Sequence, residues 1–353
     1  VDVDGDGNGN GNGNGNGNGN GNGNDRNSDE GGDTHNKLVF NGQACILDLT
    51  VDSLQSCGQC AGEYFPFAFG PELPDDQQAD DALSVVFDSL PLPATQDILG
   101  AAEIHLSVIP ASVAANLCVR LCDFRSDGTS ALITMGVLNL RHHAGSENPV
   151  ELAPGIALDI SLRLDQIAYR LPAGHRLRVA ISSAYWPFIW PSSRRGGFKL
   201  ISGSLALPCR QGSLAKADEV SFEPPQTAPA WQVEQLRDSA STRDVVTDAL
   251  TGKMTTLISN DFGENKDLQH GLISGSETHE SWSIDPQDPL SAEVVINWEQ
   301  NGGRDDWQWS TSVVLTMTCD VDKFYVSGYL VARESDEVIF EAEYADNISR
   351  VFV

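Results

Sequence analysis

The chain has 353 residues, with 22 basic and 50 acidic side chains and a formal charge of −28. About 40% of the residues are apolar, enough for a sizeable core, and the length allows two domains of roughly 100–200 residues. The charge argues against nucleic acid and anionic membrane surfaces, which attract basic patches, and no apolar run reaches the ~18 residues of a membrane span.

The chain opens at Val1 with no basic-then-apolar signal segment, and its seven cysteines are an odd number. Free thiols in a reducing compartment, and so a cytoplasmic location, are expected. Residues 1–35 are low-complexity, and glycine and asparagine alternate strictly from Gly7 to Asn24. No apolar side chain there offsets the entropy of ordering the backbone, so the segment is expected to be a disordered tail. Asp2, Asp4 and Asp6 imitate the start of a calcium loop, but Gly13 stands where its bidentate Glu belongs.

Globular composition begins near Lys37, and Lys37 to Leu49 reads as a strand pair or a linker end. A Pro- and Asp-rich loop, Gly70 to Gln78, precedes a region of period two. Ile104, Leu106 and Val108 alternate with polar residues. So do Ile156, Leu158, Ile160, Leu162 and Leu164, and so do Leu177, Val179 and Ile181. Each set predicts a half-buried strand, and turn signals such as Asp127-Gly128 and Pro154-Gly155 separate them. This pattern implies a β-sandwich or jelly roll over residues 36–210.

Residues 211–245 read as a Pro-rich connector, with at most a short helix at Gln232 to Arg237. Strands are predicted again at Ala292–Trp298, Ser310–Thr318, Phe324–Ala332 and Val338–Tyr344, with Val338, Phe340, Ala342 and Tyr344 on one face. They make residues 246–353 an antiparallel β extension. The fold class is all-β.

Chemistry-bearing motifs are scarce. There is no Gly-x-Ser-x-Gly elbow, phosphate loop or dinucleotide fingerprint, and none of the seven histidines stands in a triad context. Cys57 and Cys60 form a CxxC pair. Cys118 and Cys122, about 13 Å apart along a strand, cannot close a zinc site with them. No metal and no cofactor are expected. Asp75-Asp76 and Asp80-Asp81 read as solvated loop acids. The cluster Tyr185-Trp186-Pro187-Phe188-Ile189-Trp190-Pro191 caps a strand end, faces another domain, or forms a stacking platform for a sugar.

Several stretches occur in a telling order. Asp76 to Asp81 and Phe87 to Leu92 come first, then Asn116 to Asp123, Asp127-Gly128 and Gly136 to Leu140. Pro172 to Arg178 and the aromatic cluster follow, then Trp282 to Pro286, Asp288 to Ala292 and Met317 to Asp320. Over residues 50–353 they resemble the C-terminal part of the cocaine esterase and X-Pro dipeptidyl-peptidase class of serine hydrolases. The resemblance implies a galactose-binding-like jelly roll docked on an α/β-hydrolase domain that holds a Ser-His-Asp triad and precedes it. No triad residue maps onto this sequence. Gln78 stands where the pattern suggests arginine, which weakens a domain-contact ion pair.

The partner implied is that catalytic domain, and through it a small ester, amide or X-Pro substrate. Tyr185, Trp186, Trp190, Asp80 and Asp81 are the candidates for domain contact or substrate wall. A buttress of this kind is expected to show an apolar patch when isolated. The alternative is a stand-alone carbohydrate-binding module with the aromatics as its platform. A calcium-responsive tail is a third reading.

Overall fold

The computed structural model describes residues 36–39, 48–66, 70–210 and 222–353. The Gly/Asn repeat and the calcium-like aspartates lie outside these residues. The first half contains β1 (Asn36–Val39), β2 (Leu49–Val51), the one-turn helix α1 (Gln78–Asp81) and β3 (Val85–Asp88). Then come β4 (Gln96–Pro110), β5 (Asn116–Phe124), β6 (Ser130–Asn139), β7 (Leu158–Leu171), β8 (Arg176–Ser182) and β9 (Phe198–Leu207). They form two antiparallel sheets, β1-β9-β4-β7 with β2 also on β9, and β3-β8-β5-β6.

The inward positions are those that the alternation marks. Ile104, Leu106 and Val108 of β4 and Ile160, Leu162 and Leu164 of β7 share one core with Leu117, Val119 and Leu121 of β5 and Leu177, Val179 and Ile181 of β8. Each strand gives one face to that core, so the sandwich is a jelly roll held by apolar burial. Ile156 is an exception. It precedes β7 in a turn and is 63% exposed.

The strand β5 is buried along almost its whole length. Its second face carries Cys118, Arg120 and Cys122, which lie beneath the segment from Cys57 to Ser84.

The second half is one eight-stranded antiparallel sheet. Its strands are β10 (Val233–Arg237), β11 (Ala240–Thr247), β12 (Met254–Asp267), β13 (Ile273–Asp285), β14 (Asp288–Arg304), β15 (Trp307–Cys319), β16 (Lys323–Glu334) and β17 (Glu337–Ser349). The order is β10-β12-β13-β14-β15-β16-β17, with β11 also pairing β12. Where at most a short helix is expected, Val233 to Arg237 form a strand, because they pair with Glu264 to Asp267.

One face differs from its sequence reading. Ala332 pairs with Phe340 and Arg333 with Val338, so Ile339 is an extra residue. The bulge turns Val338 away from the face that Phe340, Ala342 and Tyr344 share. Among the described residues no helix is long and apolar enough to cross a membrane.

Candidate functional site

The candidate residues gather around the aromatic segment after β8. Trp186 and Tyr185 are each 1% exposed. Gly58 makes their close approach possible. Its φ is +115°, and a Cβ there would stand 2.6–2.7 Å from the Tyr185–Trp186 backbone, so no other residue fits. The Trp186 amide donates to the Cys57 carbonyl at 2.6 Å.

Carboxylates fix this loop from below. Asp80 accepts from the backbone amides of Gly58 (2.8 Å) and Cys60 (3.0 Å). Asp81 accepts from the Ser130 hydroxyl (2.7 Å) and Arg178 (3.0 Å), and pairs with Arg120 at 3.1 Å. Arg120 is fully buried and also donates to Gln77 Oε1 (2.9 Å) and Ser84 Oγ (3.0 Å). Arg178 forks onto Asp88 and lies 3.7 Å over the Phe124 ring. The Asp80–Asp81 pair is thus not a solvated loop. Burial is tolerated because each charge meets fixed donors. Asp75 and Asp76 remain near the surface, where Gln78 donates to Asp76 at 2.8 Å.

Burial raises the Asp80 carboxyl above its ordinary value, against the amide donors that lower it. Burial first, then the Asp80 charge, push the Cys57 thiol up to about 12 and Cys60 to about 11. Both sulfurs are thereby held in the thiol form, which is less reactive than the thiolate. The six described cysteines are all free.

On its far side the aromatic segment joins the two halves of the molecule. Trp186 meets Trp190 and Trp282 edge-on, with centroids 5.3 and 5.8 Å apart, and shares a small core with Ile284 and Ala292. Trp190 packs edge-on against Phe324, and its indole N–H donates to the Cys319 sulfur at 3.3 Å. Polar ties surround this wedge. Thr256 donates to Gln59 Oε1 (2.6 Å), the Gln55 amide to the Pro286 carbonyl (2.9 Å), and Arg350 to the Pro191 carbonyl (2.7 Å). Tyr185 and Trp186 offer no open ring face, so they cannot serve as a stacking platform.

Three other places were candidates for chemistry. Ser259 Oγ lies 3.0 Å from His279 Nδ1, and Glu277 stands 3.8 Å from the other ring nitrogen. The residue types are those of a triad. However, Ser259 and His279 are a cross-strand pair on an exposed sheet face, where backbone amides serve the ladder and not an oxyanion. His175 and Tyr169 both bond the buried Asp123, at 2.7 and 2.9 Å, and among the described residues no serine bonds the ring. A furrow of about 480 Å³ on the outer face of β4, β7 and β9 is lined by His105, Asp159 and four serines, with no Phe, Tyr or Trp among its lining residues. None of the three stood out in the sequence, because register across strands brings their members together.

The profile of the X-Pro dipeptidyl-peptidase C-terminal non-catalytic domain matches residues 17–217. The chain belongs to this family. No curated protein matches it. Among solved structures it is similar to an α-amino acid ester hydrolase (17% identity, 38% of this chain and 27% of that one, TM-score 0.36). It is also similar to an aminopeptidase from a marine sediment archaeon, Thaumarchaeota archaeon (15%, 49% and 34%, 0.35). A CocE/NonD family hydrolase from Staphylococcus aureus is a third (13%, 37% and 31%, 0.32). The chain spans between about a quarter and a third of the length of each. The family domain covers the sandwich, and the eight-stranded extension lies beyond the matched residues.

Proposed function

We propose that this chain is the non-catalytic C-terminal support of a serine hydrolase that acts on esters, amides or X-Pro peptides. The match to a domain family defined as non-catalytic carries this reading. In such an enzyme the nucleophilic serine, its histidine base and the oxyanion donors belong to an α/β-hydrolase domain. The support walls part of the cleft and holds that domain in place. Tyr185, Trp186, Trp190, Asp80 and Asp81 act from inside it. The carboxylates fix the Gly58 loop, and the loop fixes the aromatic wedge.

The test is hydrolysis of p-nitrophenyl esters and X-Pro amides by the purified chain, with a fluorophosphonate probe alongside. No turnover and no labelled serine are expected. Turnover with a labelled serine, Ser259 being the foremost candidate, would make the chain an enzyme in its own right.

A further inference from the structure

The extension is a sheet with one strongly apolar face. Cross-strand register puts Trp298, Val313, Leu330 and Ala342 in one row. The adjacent rows are Ile296, Leu315, Gly328 and Tyr344, and Gln300, Thr311, Ala332 and Phe340. Gly328 lets its neighbours close over it, since a Cβ there would stand 3.0 Å from Leu315 and 3.8 Å from Tyr344. The opposite face mixes Val314, Tyr329 and Val331 with Glu299, Ser312, Glu341 and Glu343. A sheet with one apolar face requires a second layer.

At one end the sandwich is that layer, covering Ile284 and Ala292. At the other end Trp298, Leu315, Phe340 and Tyr344 stay between 40% and 58% exposed. Four strands wide and five residues long, this open area is about 19 Å by about 17 Å, roughly 320 Å² in projection. That is less than half of the ~800 Å² that each partner contributes to a standard interface, so a partner seated here also needs the sandwich. The sandwich loop tied to this face through Gln59 and Thr256 also carries Tyr64 and Phe65, 82% and 73% exposed. Tyr64 packs edge-on against Phe188 of the sandwich, with centroids 5.7 Å apart.

We propose that this open face, on the extension and not only on the sandwich, is part of where the α/β-hydrolase domain docks. The proposal rests on the reading above that such a partner exists. The open face continues an interface already formed, so one body seated beside the sandwich completes the same layer. A second copy of the chain is disfavoured, because each copy carries a charge of −28 and like charges oppose association.

The test mixes the intact chain with the α/β-hydrolase domain of the same protein and applies hydroxyl-radical footprinting. Oxidation of Trp298, Phe340 and Tyr344 is expected to fall several-fold in the complex. Phe340→Lys is expected to weaken binding about tenfold or more, as loss of an interface anchor does. Val314→Lys, on the opposite face, is expected to leave binding unchanged. Tyr344→Lys serves as a second variant if Phe340→Lys does not fold. A complex whose protection falls on the sandwich alone, or that ignores both face variants, overturns the docking site and leaves the support reading intact. No complex at all overturns both. A chain that dimerises alone through Phe340 and Tyr344 would make a second copy the occupant.

Discussion

Trp186→Ala removes the ring at the centre of the junction between sandwich and extension. A tryptophan buries about 150–250 Å², worth roughly 4–6 kcal/mol at ~25 cal/mol/Å² as an upper bound. Substitutions of buried large side chains by alanine lose about 3–5 kcal/mol. One feature lowers the expectation, because the Trp186 indole N–H is buried without a hydrogen-bond partner. Removing it relieves about 1–3 kcal/mol. The expected loss is therefore near the lower end, about 3 kcal/mol. It is read as a shift of the urea midpoint by far-ultraviolet circular dichroism, with the m-value as a check on two-state behaviour. Trp307→Ala, at an exposed hairpin end, is the control and is expected to change stability by about 0.5 kcal/mol or less. A loss below about 1 kcal/mol for Trp186→Ala would refute the packing argument and show a ring free for ligands.

Other consequences can be measured on the same chain. Arg120→Met leaves the buried Asp81 without its 3.1 Å partner and strands Gln77 Oε1, for a loss of about 3–5 kcal/mol in urea unfolding. A loss under about 1 kcal/mol would mean that water reaches this network. Asp80 has a folded pKa above the ordinary 3.8, so the unfolded chain ionises first. Its contribution to stability therefore declines as pH rises from about 4 through the folded pKa, and Asp80→Asn should flatten that part of the profile. Parallel profiles for the two proteins would contradict the assignment. Burial raises the Cys57, Cys118 and Cys122 thiols. They should react with a disulfide reagent near pH 8 only after unfolding, and rapid native labelling, mapped by mass spectrometry, would count against the packing role.

How much of this was legible in the sequence depends on which face of each strand is apolar. The strands β4, β7, β8 and β14 to β17 carry alternating apolar residues and announce themselves. The strands β12 and β13 do not, because positions such as Thr256, Asn260, Thr278 and Ser283 are buried yet polar. Period-two hydrophobicity is absent where hydroxyls and amides fill the inward sites. The same blindness hid the Asp80–Asp81 network. Arg120 and Arg178 sit on the second faces of β5 and β8, and only the fold brings them to carboxylates some 40 and 97 residues away. The aromatic cluster was visible as a run of rings, but its partners Trp282, Cys319 and Phe324 are strands away in the extension. The bulge at Ile339 left no signal at all.

Sandwich and extension form one folded unit, joined at Trp186 and Trp190. Differential scanning calorimetry of the intact chain tests this union. A single cooperative transition is expected, and Trp186→Ala should move it to lower temperature without losing its cooperativity. Two separate transitions in the unaltered chain, each indifferent to Trp186, would contradict it.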